Sequence, residues 1–328
     1  MAVGFLGTGS YLPERVVTNS EIAGLVTDAT PEWILSRTGI ETRRWAAPDE
    51  ATSDLAAAAA RRALKHAGLP ADRVDYLIVS TSTGDFPQPP TACLVQRLIG
   101  AHAAACFDVN AVCAGFVYAV ELARSLVAAR PGTHALVIGA DVYSRILDFG
   151  ERRTSVLLGD GAGAAVLGKV PEPAGILAVD LSSYGEAQDL IKVEAGGSRV
   201  PTTARTVAEG GHYFTMRGRQ VRDFVMDTLP PLLDKLVTNA GLTLADVDTF
   251  VPHQANGVLL RQLVDRCGLS GAHTHLVVDR YGNVGSASVP VALDDAVRSG
   301  RVAAGDVVLL AGFGGGMSVG ACLARWSA

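Results

Sequence analysis

The sequence predicts an α/β protein built twice, its two halves packed as a duplicated five-layered α/β/α/β/α arrangement. Two observations carry that reading. Ala67-Gly68-Leu69 with Asp75 recurs as Ala240-Gly241-Leu242 with Asp248, and 240 − 67 = 173; the same offset carries Asn110 to Asn283, Cys113 to Ser286, and Leu136-Val137 to Leu309-Leu310. One register held across most of each half signals a duplication. Within each half, segments of helical period alternate with short apolar runs, the pattern of parallel strands covered by helices.

The elements follow in order. Val3-Gly4-Phe5-Leu6 opens the chain as a strand. Ser53 to His66 has helical period and leads to the apolar strand Tyr76-Leu77-Ile78-Val79, while Phe107-Asp108-Val109 runs as a strand toward a glycine-containing helix start at Cys113. Gly159-Asp160-Gly161-Ala162-Gly163 reads as a glycine-rich turn between apolar runs. Pro171-Glu172-Pro173 interrupts both helix and strand and marks the seam, giving halves of residues 1–170 and 171–328. The second half repeats the plan with a helix from Val221 to Asn239, a strand at Thr249-Phe250-Val251 and the glycine turn Gly312-Phe313-Gly314-Gly315-Gly316.

Composition narrows the functional classes. The 328 residues are 48% hydrophobic with 36 glycines, enough to bury a full core. Only 19% are charged, which suggests surface buried in an oligomer, and the net charge of −5 argues against nucleic acid as a partner. Five cysteines form no framework and no CxxC pair, so a reducing cytoplasmic location is expected. The N-terminus lacks the pattern of a signal peptide, the alanine run Ala56 to Ala60 stops at Arg61-Arg62, and no stretch reads as a membrane span. Gly4-Phe5-Leu6-Gly7-Thr8-Gly9 is followed by Tyr11-Leu12-Pro13 rather than a helix, so it is not a dinucleotide loop. No lysine accompanies it or Gly312 to Gly316, which excludes a P-loop.

The chemistry centres on Cys113, in Asn110-Ala111-Val112-Cys113-Ala114-Gly115-Phe116. A thiol at a helix N-terminus faces unpaired N–H groups and the positive end of the dipole, both of which favour the thiolate. A lone cysteine among apolar residues is more often inert packing. Downstream, His253 in Val251-Pro252-His253-Gln254-Ala255-Asn256 and Asn283 in Tyr281-Gly282-Asn283-Val284-Gly285 complete an acyl-transfer set. His66, His102, His134, His212, His273 and His275 carry no motif, and Cys93, Cys106, Cys267 and Cys322 read as packing.

With these motifs in place, the chain resembles the β-ketoacyl-acyl-carrier-protein synthase III family of thiolase-fold condensing enzymes over essentially its whole length. Trp33-Ile34-Leu35-Ser36-Arg37-Thr38-Gly39-Ile40, Asp108 to Phe116, Gly159 to Ala165, Val251 to Asn256, Tyr281-Gly282-Asn283 with Ser288-Val289-Pro290, and Gly312 to Gly316 carry the resemblance. It implies Cys113 as acyl-accepting nucleophile, with His253 and Asn283 binding the carbonyl of the second thioester. Backbone N–H groups of Cys113 and Gly315 would form the acyl oxyanion site. Trp33 and Arg152 would sandwich the adenine of coenzyme A, with Arg37 and Thr38 nearby, Asn256 along the pantetheine channel and Phe214 near its mouth. The implied reaction is a decarboxylative Claisen condensation of an acyl starter with a malonyl-thioester. It uses coenzyme A or carrier-protein thioesters as substrates, in a homodimer, with no metal and no cofactor.

Departures from the family pattern concern substrate and carrier. Gln88, in Phe86-Pro87-Gln88-Pro89-Pro90, stands at or beside the position where a partner-subunit phenylalanine caps the acyl pocket. Leu158 replaces a frequent phenylalanine and Tyr143 an aliphatic residue, so a larger or partly polar starter is expected. Val258 and Asp265 replace basic residues of the carrier-protein dock, for which Arg217, Arg219 and Arg222 offer a substitute. These changes point toward polyketide or similar secondary metabolism rather than housekeeping fatty-acid synthesis. The competing readings are an acyltransferase that passes the Cys113 acyl group to another carrier, hydroxyl or amine without decarboxylation, and a non-catalytic partner subunit, against which the retained set argues.

Overall fold

The structure is a computed structural model and describes residues 2–327. The first half supplies strands β1 (Ala2–Tyr11), β2 (Tyr76–Ser80), β3 (Ala105–Val109), β4 (Ala135–Val142) and β5 (Asp160–Val170). The second supplies β6 (Gly175–Ser183), β7 (Thr249–Pro252), β8 (His273–Thr274), β9 (Val307–Gly314) and β10 (Ser318–Arg325). Their orders are β1-β5-β4-β2-β3 and β6-β10-β9-β7-β8, the same order once each strand is renumbered within its half. The pairings match as well. In each sheet two neighbouring pairs are antiparallel and two are parallel. The sheets are therefore mixed, not all-parallel as the alternation suggested, because β5 and β10 turn back beside the strand that precedes them.

Strand residues alternate between two covered faces. Leu77, Val79, Leu136 and Ile138 point to one side, against Leu55, Ala59 and Ala63 of the helix α1 (Thr52–Ala67). Ile78 and Val137 point to the other, against Phe116 and Val120 of α2 (Gly115–Ala129). In the second half Val308 and Leu310 share that inner core with Val289 and Leu293 of α4 (Ser288–Arg298), while Leu309 faces Val225, Leu229 and Leu233 of α3 (Gly218–Asn239). Strands buried on both faces need continuous apolar runs, which these sequences supply. Each such aliphatic side chain contributes about 2 kcal/mol through burial.

The central layer is thus made of α2 and α4. The segment Val112–Ala129, with a mean hydropathy of 1.6 over 18 residues, is long and apolar enough for a membrane span, contrary to the sequence reading. Its inner position between the sheets accounts for that composition.

The glycine-rich segments are strand rather than turn, apart from the hairpin that follows Gly314. They allow close packing of layers: a Cβ on Gly9 would lie 2.3 Å from the backbone nitrogen of Ala63 on α1. Pro171 to Ala174 forms the link between β5 and β6.

Candidate active site

The turn that presents Cys113 follows β3. Val112 to Ala114 form one short 3₁₀ turn, and α2 begins at Gly115. Val112 holds φ = +47°, a left-handed conformation that a β-branched residue adopts only under tertiary constraint, storing about 1–3 kcal/mol of strain. The constraint comes from β9. A Cβ on Gly312 would lie 2.9 Å from the Ala114 Cα, and one on Gly314 would lie 2.7 Å from the Cys113 Cβ. Glycine is the residue that lets this strand pass directly beside Cys113.

The same strand positions His253. The His253 N–H donates to the Ala311 carbonyl at 2.7 Å, just beyond the β7–β9 pairing. Its ring meets Phe313 edge-on, with centroids 5.1 Å apart. His253 is almost wholly buried, and burial pushes its pKa from 6.5 down to about 3. The imidazole is therefore neutral, with Nδ1 free of protein partners.

Asn283 enters from the other side. Its N–H donates to the Leu157 carbonyl at 2.8 Å and its carbonyl accepts from the Gly159 N–H at 2.9 Å, stapling it beside Leu158. Its side-chain Oδ1 accepts the Gly285 N–H at 2.9 Å. An N–H can only donate, so the amide oxygen is occupied and the NH₂ end remains for the cavity that Asn283 lines.

At Cys113 burial opposes the effect of the helix terminus. Burial pushes the thiol above its ordinary range, the Asp141 carboxylate adds to the effect, and only the local backbone N–H works the other way. Removing sulfur from water disfavours the thiolate.

A cavity of about 380 Å³ lies between the halves, lined by Trp33, Arg37 and Thr38 from one and Asn256 and Asn283 from the other; it reaches Asn283, and neither Cys113 nor His253 is part of its lining. The Asn256 side chain caps α5 (Gly257–Arg266) through the N–H groups of Val258 and Leu259, and its Nδ2 donates to the Arg37 carbonyl at 3.1 Å. Arg152 stacks its guanidinium on Trp33, 4.8 Å from the ring centroid, and bonds the Asp28 carbonyl. The two expected jaws are thus in contact with each other. Arg153, which sequence reasoning passed over, lines the cavity instead.

Phe214 is also placed differently. It is buried against Tyr143 in an edge contact at 5.6 Å, and Met216, on the same face of the short strand Phe214–Met216 that pairs with Ile191–Val193, reaches the cavity. Tyr143 itself is buried, its hydroxyl 2.8 Å from the Ser82 Oγ. The phenol ring is packed and its polar end is engaged with Ser82. Leu158 is buried beside Asn283, and Gln88 is exposed at its loop tip, away from this chain's own cavity. Gly315 sits in the turn after Gly314, against the Val112 side chain. Of the proposed basic dock, Arg222 is tied to Asp223 and Gln262.

Two copies of one α/β unit, with a buried thiol on a strained elbow, a neutral histidine and an oriented carboxamide, have the architecture of the thiolase-fold condensing enzymes. Comparison with known proteins agrees. Residues 107–185 match the 3-oxoacyl-[acyl-carrier-protein (ACP)] synthase III family and residues 237–326 its C-terminal part. The chain is 49% identical over 323 residues to the acetoacetyl CoA synthase NphT7 of Streptomyces sp. (strain CL190), covering 98% of each. It is 44% identical to the β-ketoacyl-[acyl-carrier-protein] synthase III of Desulfitobacterium hafniense (strain DSM 10664 / DCB-2), over 100% of this chain and 98% of that one. The crystal structure of the priming β-ketosynthase from the R1128 polyketide biosynthetic pathway superposes with a TM-score of 0.92 at 36% identity, covering 99% of this chain and 97% of that one. The chain belongs to the β-ketoacyl-acyl-carrier-protein synthase III family and is an acyltransferase-class condensing enzyme.

Proposed function

We propose that the protein joins a short acyl starter, delivered by coenzyme A, to a malonyl-thioester. The observation that carries this reading is the Asn283 amide, whose oxygen is held by Gly285 while its NH₂ end meets the cavity. Cys113 exchanges with the acyl-thioester; the thiol proton ends on the departing coenzyme A sulfur, so one thioester replaces another at little free-energy change. The malonyl unit then loses carbon dioxide, and its electron pair passes to the thioester oxygen as an enolate. His253 Nε2–H and the Asn283 NH₂ donate to that oxygen. One such donor contributes about 3 kcal/mol to the transition state. The neutrality of His253 supports this role, because its proton stays available as a donor without a competing charge. The enolate carbon attacks the Cys113 acyl carbonyl, the carbon–sulfur bond breaks, and the released thiolate takes a proton from water. Backbone N–H groups of Cys113 and Gly315 hold the acyl oxygen during this attack, and no metal or organic cofactor takes part.

The short starter is in keeping with the four-carbon product in the name of the Streptomyces relative. Trp33, Arg37, Thr38, Arg152 and Asn256 bind the coenzyme A or pantetheine arm. Malonyl-coenzyme A or malonyl-carrier protein serves as extender, with Arg217, Arg219 and Arg222 as the basic residues available to a carrier protein. The exposed Phe86, beside Gln88, offers this loop to a second copy in a homodimer. A cytoplasmic setting keeps Cys113 reduced.

The test is intact-mass measurement of Cys113 acylation across acetyl- to octanoyl-coenzyme A, followed by malonyl-coenzyme A or malonyl-carrier protein with carbon dioxide assayed. Fast acetyl loading and stoichiometric carbon dioxide release support the reading. Acyl transfer to a second acceptor without carbon dioxide would establish the non-decarboxylating alternative.

A further inference from the structure

The duplication places a second, silent elbow opposite the active one. The offset of 173 that relates Cys113 to Ser286 also relates Gly139 to Gly312 and Asp141 to Gly314. In space the correspondence holds. Gly312 and Gly314 press on the Ala114 and Cys113 turn, and Gly139 presses on Ser286, where a Cβ would lie 2.4 Å from the carbonyl oxygen. The fourth corner breaks the symmetry: where the active elbow meets Gly314, the silent one meets the Asp141 carboxylate.

Asp141 is wholly buried, and its hydrogen-bond donors are all neutral. Oδ1 accepts from the Ser82 N–H at 2.9 Å and from the hydroxyls of Thr81, Ser82 and Thr83. Oδ2 accepts from the Ser286 N–H at 2.7 Å and its hydroxyl at 2.8 Å. The carboxylate therefore ties a loop of the first half to the turn Gly285–Ala287 of the second, and the Gly285 N–H of that turn holds Asn283. We propose that Asp141 is a positioning residue for condensation: by plugging the silent elbow it clamps the Asn283 turn onto the first half and keeps the carboxamide aimed at the substrate. The proposal rests on the enolate role given to Asn283.

Asp141→Asn tests it, since each carboxylate oxygen faces a fixed backbone N–H and an amide NH₂ must oppose one of them. In the purified full chain, acylation of Cys113 by acetyl-coenzyme A and carbon dioxide release from malonyl-coenzyme A are measured for wild type, D141N, N283A and the double variant. D141N is expected to slow carbon dioxide release about 100-fold, the scale of a misplaced catalytic group, with acylation of Cys113 not slowed, since loss of the carboxylate removes one cause that disfavours its thiolate. In the N283A background it is expected to add nothing further. An unaffected D141N, a parallel fall in both half-reactions, or multiplying losses in the double variant would overturn the assignment. If D141N does not fold, Ser286→Ala, which keeps the N–H and removes the hydroxyl, is read in the same cycle, with a smaller loss in the same direction expected and the same outcomes against it. Absence of carbon dioxide release from wild type overturns the condensation reading and this one together; a failed cycle beside active wild type overturns only the role of Asp141.

Discussion

The His253 imidazole meets the Phe313 ring nearly at right angles, its plane turned by 84°. This contact is part of the apolar enclosure that keeps the imidazole uncharged. With a folded-state pKa near 3 against an ordinary 6.5, the unfolded chain takes up this proton more readily than the native one. The associated stability is complete above pH 6.5 and declines as the pH falls toward 3, by about 1.4 kcal/mol per pH unit inside that window. The kcat/KM profile of wild type should therefore show no His253 limb between pH 6 and 8. Phe313→Ala admits water, raises the pKa and should introduce a loss of activity below about pH 6, the range of a solvated imidazole.

Gly314→Ala should disable acylation. The added methyl would collide with the Cβ and backbone nitrogen of Cys113, at 2.7 and 2.8 Å, neither of which can rotate away. Overpacking of this kind destabilises by about 1–3 kcal/mol. Thermal melts should show a folded protein, while intact-mass kinetics should show Cys113 loading slowed at least about 100-fold, as expected of a displaced nucleophile.

Tyr143→Leu should lengthen the accepted starter. Removing the phenol opens space beside Phe214 and frees the Ser82 hydroxyl, at a stability cost of about 2 kcal/mol. Competition between acetyl- and hexanoyl-coenzyme A, read by mass on Cys113, should shift toward hexanoyl. An unchanged preference would place the limit elsewhere.

Trp33→Ala separates handle from chemistry. Loss of the aromatic face should raise KM for coenzyme A thioesters about fivefold, the scale of one exposed cation–π or stacking contact, with kcat little altered. Pantetheine thioesters, which lack the adenine, should show no such change.

Much of this was legible in the chain. The 173-residue repeat announced two equivalent sheets, because duplicated packing demands duplicated apolar patterns, and strands such as Tyr76–Ser80 fell where expected. Cys113, His253 and Asn283 stood out because each lies in a motif that packing alone does not require. What stayed hidden depends on three dimensions. Nothing local marks Val112 for a left-handed conformation, which intrinsic preference opposes and β9 imposes. Asp141 resembles an ordinary strand-end aspartate until its partners 58 to 145 residues away are known. The glycines of Gly159 to Gly163 suggested a turn because sequence records flexibility, not the helix packed over a strand.

The shared inner layer has a consequence for any attempt to divide the chain at its proline seam. Helices Gly115–Ala129 and Ser288–Arg298 bury their apolar sides in one common core. Expressed separately, each fragment would leave such a surface bare and self-associate before its missing companion could cover it. A single backbone cut between Pro171 and Ala174 in the finished molecule is a different matter, since the mated surfaces would continue to hold the severed pieces together.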